Sequence, residues 1–185
     1  MKMTILTAII LILYSCKSPV VDKHIECKIS ETTDMIEFNK LYSNIDTTNV
    51  FKKEISELDN ISTGIILFKF TDNLNYVKTT LIKKNSNVFE CINGASLTKK
   101  TTTLNEKDID SIEMLIKSID KMYYFEQCDD YISNNDFFLL IIKNDNEIVT
   151  KYLSHGNVFF EKSSVNNNLN SVKEILEITY RNSFN

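Results

Sequence analysis

The chain has 185 residues, and its 25 acidic and 21 basic residues give a net charge of −4. An acidic chain whose lysines occur singly or in isolated pairs lacks the basic surface that nucleic-acid binding requires, so we exclude a nucleic-acid partner. The hydrophobic fraction of 43% is ordinary for a globular protein, and the length fits one domain.

The chain begins with a short apolar segment behind a single positive charge. Lys2 precedes an apolar run at residues 5–13, which is about half of the roughly 20 residues that a membrane-spanning helix needs. The run leads into Leu13-Tyr14-Ser15-Cys16. This tetrapeptide resembles the lipobox of bacterial lipoproteins, in which the cysteine is lipidated and becomes the mature N-terminus. The alternative is an ordinary cleaved secretory signal with an incidental cysteine.

The resemblance implies a division of the chain and a location. Residues 1–15 are expected to be a signal peptide, 16–23 the lipidated Cys16 with a spacer, and 24–185 a single domain. Two or more acyl chains, each contributing about 0.8 kcal/mol per buried CH₂, hold a protein stably on a membrane. In lipoproteins an aspartate directly after the cysteine is associated with the inner membrane. Because Lys17 stands there, we expect a lipid-anchored envelope protein at the outer membrane, facing the periplasm.

The first half of the domain shows both strand and helix patterns. Residues 25–29 alternate as a short strand, and residues 33–45 and 51–58 show helical spacing of apolar side chains. Four β-rich runs follow, at residues 64–70, 76–83, 88–92 and 97–103. Their turn-sized connections predict an antiparallel meander.

The second half contains the clearest helix pattern. Apolar residues spaced 3, 4, 3 and 4 apart predict a helix that extends to its last member, and these are Ile109, Ile112, Ile116, Ile119 and Tyr123. Thr103 with Glu106, or Asn105 with Asp108, could cap its start.

A hairpin and a last helix complete the predicted fold. Residues 136–143 are apolar on both faces and predict a central strand, with residues 147–153 as its hairpin partner. Helical spacing of apolar residues over 169–180 predicts a C-terminal helix. The fold expected is α+β: a single antiparallel sheet, formed by the meander and the hairpin, with amphipathic helices packed on one face.

Two polar loops flank the predicted hairpin. The first, at residues 128–136, is rich in side-chain oxygens, and loops of this kind can bind Ca²⁺. It lacks the glycine and the final glutamate of an EF-hand, so a solvated connection is the favoured interpretation. His155 lies just past the second strand, where a general base could be displayed, although an exposed turn histidine is the commoner case. We take these loops as the candidate recognition surface, with residues Asp129, Asp130, Asn134, Asn135, Asp136 and His155.

The cysteines predict one disulfide in an oxidising compartment. Three remain after lipidation of Cys16, and the sequence alone permits three pairings. Cys27 alternates in phase with isoleucines, which predicts a buried and inert side chain. Cys128 follows the strongest helix beside a polar loop, so the favoured pair is Cys91 with Cys128.

The sequence leaves three functions open. No metal-ligand spacing, glycine-rich phosphate loop or nucleophile motif occurs, so we expect no metal, no cofactor and no catalysis. The first interpretation is a lipid-anchored protein with a binding or structural domain, attached to the membrane through its anchor and in contact with another protein. The second is an immunity protein against an envelope-acting toxin, for which an acidic surface would speed association with a basic partner. The third is a hydrolase that uses His155 and nearby carboxylates.

Overall fold

The computed structural model describes residues 27–41, 51–71, 77–85, 88–95, 98–128, 136–155 and 166–183. Cys16 and the predicted spacer lie outside the described residues. Within them, no helix is long and apolar enough to cross a membrane.

One eight-stranded sheet and four helices make up the described part of the chain. The strands are β1 (Cys27–Thr32), β2 (Gly64–Thr71), β3 (Val77–Asn85), β4 (Val88–Ala95), β5 (Thr98–Thr103), β6 (Met122–Cys128), β7 (Asp136–Asn144) and β8 (Glu147–His155). The helices are α1 (Met35–Leu41), α2 (Lys52–Asp59), α3 (Glu106–Ser118) and α4 (Asn167–Ser183).

The sheet is mostly antiparallel, which confirms the predicted α+β class. Its strand order is β1-β6-β8-β7-β2-β3-β4-β5. The predicted meander forms β2 to β5, and the predicted hairpin forms β7 and β8. The pair β6–β8 is parallel, which the sequence did not predict.

Helices cover both faces of the sheet, so the prediction that they pack on one face is wrong. One core cluster joins α3 and α4 to the sheet, and a second cluster on the opposite face includes Phe38 of α1 and Leu58 of α2. The reason lies in the central strands. In β2, Ile65 and Leu67 belong to the first core, whereas Ile66 belongs to the second. Strands that are apolar on both faces need a layer of helices on each side.

The helix predicted to reach Tyr123 ends earlier. Asn105 caps α3 by accepting a hydrogen bond from the Asp108 amide at 2.9 Å, and the helix gives way to extended backbone at Ile119. Residues 122–128 then form β6, whose Tyr123 and Tyr124 point into opposite cores. Aromatic residues that alternate in this way favour a strand, and this preference prevails over the helical spacing.

The predicted Cys91–Cys128 disulfide is also wrong. Cys91 is a free, buried thiol in β4, and burial raises its pKa. Five interstrand spacings of about 4.8 Å separate β4 from β6 in the sheet order, or about 24 Å in all. A disulfide requires Cα atoms within about 7 Å. Cys27, which we expected to be a buried free cysteine, is instead half-buried and disulfide-bonded.

Candidate functional site

The parallel pairing of β6 and β8 creates the candidate site. The carboxyl ends of both strands meet at one end of the sheet, where Gln127 of β6 lies opposite His155 of β8. The start of β7 lies there too, because Phe137 pairs with His155 from the other side. We call this place the β6–β8 end and define it by Gln127, Asp136, Phe137 and His155.

The topology brings together the strand ends that border the two predicted recognition segments. Residues 129–135 follow β6 and precede β7, and these two strands flank β8 in the sheet. The strand ends at Cys128, Asp136 and His155 therefore lie at one end of the sheet, although they are separated in sequence.

Two of the six predicted recognition residues lie in the described part of the chain. Asp136 begins β7 and forms an ion pair with Lys69 at 3.0 Å, with 26% of each side chain exposed. His155 is the last residue of β8, and only its backbone is described. The remaining four, Asp129, Asp130, Asn134 and Asn135, lie outside the described residues.

A buried polar network lies beneath the β6–β8 end. Glu126 of β6 and Lys173 of α4 are only 2% and 5% exposed, and the Lys173 Nζ lies 3.0 Å from Glu126 Oε1. The Tyr152 hydroxyl donates a hydrogen bond to Glu126 Oε2, and the Ser154 side chain is hydrogen-bonded to Tyr152. Burial, and then the charge of Glu126, raise the pKa of Tyr152 well above its ordinary value, so the hydroxyl keeps its proton.

The network follows from the strand register. Tyr124 pairs with Tyr152 and Glu126 with Ser154, so all four side chains project towards the face that α4 covers. Sequence reasoning missed these residues because Glu126 lay just past the predicted helix. The available signal was the spacing of Tyr124 and Glu126, which puts a carboxylate in the inward phase of a strand.

The network is suited to support rather than to chemistry. Each Glu126 oxygen already has a partner, and no buried side-chain nitrogen or oxygen among the described residues lacks a hydrogen bond. A buried charge with satisfied partners resists displacement, because leaving one partner alone costs about 3–5 kcal/mol. The network therefore holds α4 against β6 and β8 beneath the β6–β8 end.

A small cleft lies at the opposite end of the sheet. Its volume is about 140 Å³, and it lies between the β7–β8 turn at Asn144 and helix α3. Lys84 and Glu113 form an ion pair of 2.6 Å at its rim, and the hydrogen bond from Lys84 lowers the pKa of Glu113. The cleft is smaller than the roughly 300–1,000 Å³ of typical ligand pockets, so it is the weaker candidate.

The described residues contain no group of three His, Cys, Asp or Glu side chains placed to hold a metal ion. Comparisons of the chain with family models, with curated proteins and with solved structures find no match.

Proposed function

We propose that the chain is a lipid-anchored protein of the bacterial cell envelope that binds a partner protein through its β6–β8 end. Cys16 carries the lipid, and the domain faces the periplasm from the outer membrane. The observation that carries the proposal is the strand register that sets Gln127, His155 and Phe137 side by side. A surface built from two adjoining connections on a rigid sheet is a common form of binding site.

The position of the N-terminus supports the same surface. Strand β1 begins at Cys27, which lies opposite Cys128 at the carboxyl end of β6. The segment from Cys16 to Cys27, which we call the anchor segment, therefore enters the sheet at the β6–β8 end. Cys27 follows Cys16 by eleven positions, a span of at most about 40 Å when fully extended. A lipid on Cys16 would hold the recognition surface close to the bilayer, so we infer a partner at the membrane surface.

Charge indicates the chemistry of the partner. Asp129, Asp130 and Asp136 are three carboxylates in or beside the connection from β6 to β7, and Asp136 forms an ion pair with Lys69. An acidic surface of this kind attracts a basic patch on another protein and speeds their association. A basic, envelope-acting toxin would be one partner of this class.

Photo-crosslinking in living cells tests the surface. We expect a photoreactive amino acid in place of Asp129 in the full chain to give a discrete protein adduct. The matched control is the same replacement of Glu147, an exposed carboxylate at the start of β8 at the opposite end of the sheet. Changing Asp130→Asn in the Asp129 crosslinking chain should lower the adduct yield. Equal adducts from both ends, or none from position 129, would contradict the proposed surface.

A further inference from the structure

Among the described residues, the disulfide of Cys27 has one geometrically suitable partner. The chain contains four cysteines, and Cys91 is a free thiol, which leaves Cys16 and Cys128. The backbone register places the Cα atoms of Cys27 and Cys128 directly opposite each other across β1 and β6. Opposite residues of antiparallel strands have Cα atoms about 4.5–5.5 Å apart, which lies within the range of disulfides.

We propose that Cys27 and Cys128 form a cross-strand disulfide that ties the anchor segment to the recognition surface. This inference deepens the proposed function. A Cys16 whose sulfur carries a lipid has no thiol to offer, so lipidation and this pairing use the four cysteines without conflict. The register alone favours Cys128 even where Cys16 is unmodified.

The bond lies where the domain receives mechanical load. Strand β1 is at the edge of the sheet and pairs only with β6. Two hydrogen bonds hold the far end of β1. Asn166 donates to the Glu31 carboxylate at 3.0 Å, and the Thr32 hydroxyl donates to the Glu37 carboxylate at 2.7 Å. A pull from the lipid anchor enters at the other end, at Cys27. The disulfide passes that pull to β6, inside the sheet, and prevents β1 from peeling away.

The bond also restrains the recognition surface. Cys128 is the last residue of β6, directly before the connection that carries Asp129 and Asp130. A covalent link at this position fixes the start of the connection and lowers the entropy that binding must remove.

The chemistry requires an external oxidant. A disulfide-bearing thiol oxidase of the envelope supplies it: one cysteine thiolate attacks the oxidase disulfide and forms a mixed disulfide. The second cysteine then displaces the oxidase sulfur. The two thiols lose two electrons and two protons, and the oxidase leaves as a dithiol.

Peptide mapping of the full chain, isolated from membranes and unfolded in the presence of a reagent that blocks its free thiols, tests the pairing. We expect a non-reduced digest to contain a peptide pair joined through Cys27 and Cys128, with the block on Cys91. Cys128→Ser should make Cys27 available to the blocking reagent, whereas the matched variant Cys91→Ser should keep the linked pair. A free Cys27 in the wild-type chain, or a Cys27–Cys16 link, would overturn the inference.

Two further readouts separate this inference from the lipid anchor. Cys16→Ala should retain the Cys27–Cys128 pair, so that a failure of lipidation leaves the pairing intact. Reduction should speed tryptic cleavage after Lys28, an exposed residue of β1, in the wild-type chain and leave the faster cleavage of Cys128→Ser unchanged. Equal cleavage of oxidised and reduced wild-type protein would contradict a clamp on β1.

Discussion

At the scale of single residues, two ion pairs at and beneath the β6–β8 end have very different surroundings. Glu126 and Lys173 are almost fully buried between the sheet and α4, whereas Lys69 and Asp136 are each 26% exposed at the surface. Water and salt screen the exposed pair, so it contributes about 0–1 kcal/mol. The buried pair consists of two charges removed from water. Loss of either partner would leave the other charge buried and uncompensated.

We therefore expect Lys173→Met to lower the free energy of unfolding by about 3–5 kcal/mol, because it leaves the Glu126 carboxylate buried without its cation. The double variant Glu126→Gln with Lys173→Met should lose less than the sum of the two single variants, since no charge is left unpaired. Urea denaturation followed by fluorescence or circular dichroism measures these differences.

The exposed pair supplies the matched control. Asp136→Asn at the same end of the sheet should change the free energy of unfolding by at most about 1 kcal/mol. Two results would show that the buried network does not act as a unit. One is a loss of unfolding free energy in the double variant equal to the sum of the two single losses, and the other is a loss for Asp136→Asn as large as for Lys173→Met.

At the scale of elements, several strands and helices could be predicted because their patterns are local. The run at residues 136–143 is apolar on both faces, and it forms β7 inside the sheet, between β8 and β2. Strand β6 could not be predicted, because Tyr123 fits two patterns. It follows Ile119 at the four-residue spacing of a helix, and it also alternates with its neighbours as residues of a strand do. The pairing of β6 with β1 and β8 decides between these periods. That tertiary position is not visible in a single stretch of sequence, whereas the cap at Asn105 was.

Helix α2 depends on a lysine from another element. The Lys143 Nζ of β7 donates hydrogen bonds to the carbonyl oxygens of Leu58 at 3.2 Å and Asp59 at 2.8 Å, at the carboxyl end of the helix. The Leu58 carbonyl also accepts from the Ile61 amide at 3.3 Å, so Lys143 adds a charged donor at the end of the helix and complements the helix dipole.

We expect Lys143→Met to lower the free energy of unfolding by about 1–3 kcal/mol, because it removes the hydrogen bonds that a charged donor makes to the carbonyl oxygens of Leu58 and Asp59. Lys53→Met, at an exposed position of α2, should stay within about 0.5 kcal/mol of the wild type. Equal stabilities of the two variants in urea denaturation would contradict a capping role for Lys143.

At the scale of the whole molecule, the pairing of strands distant in sequence decides which residues become neighbours, and local sequence patterns do not reveal this. The polar segments around Asp136 and His155 were recognisable, but their adjacency depends on β8 lying between β6 and β7. The disulfide prediction failed for the same reason, because β4 and β6 are close in neither sheet order nor space. The buried network of Glu126, Tyr152 and Lys173 forms where three segments distant in sequence meet, so no local pattern predicts it.

The proposed anchor would give these features a common orientation. The disulfide-bonded Cys27 at the start of β1 and the carboxyl ends of β6 and β8 all lie at one end of the sheet. A lipid on Cys16 would hold that end towards the membrane and leave the cleft near Asn144 at the far end. The orientation depends on lipidation, which is the central claim.

Metabolic labelling with a fatty-acid analogue tests that claim most directly. We expect the full chain to incorporate the label and to sediment with membranes in a bacterial host, and Cys16→Ala to lose both properties. The variant Cys91→Ser should keep both and controls for the loss of a thiol. Unchanged labelling of Cys16→Ala, or a wild-type chain that carries no label and stays out of the membrane fraction, would contradict the account.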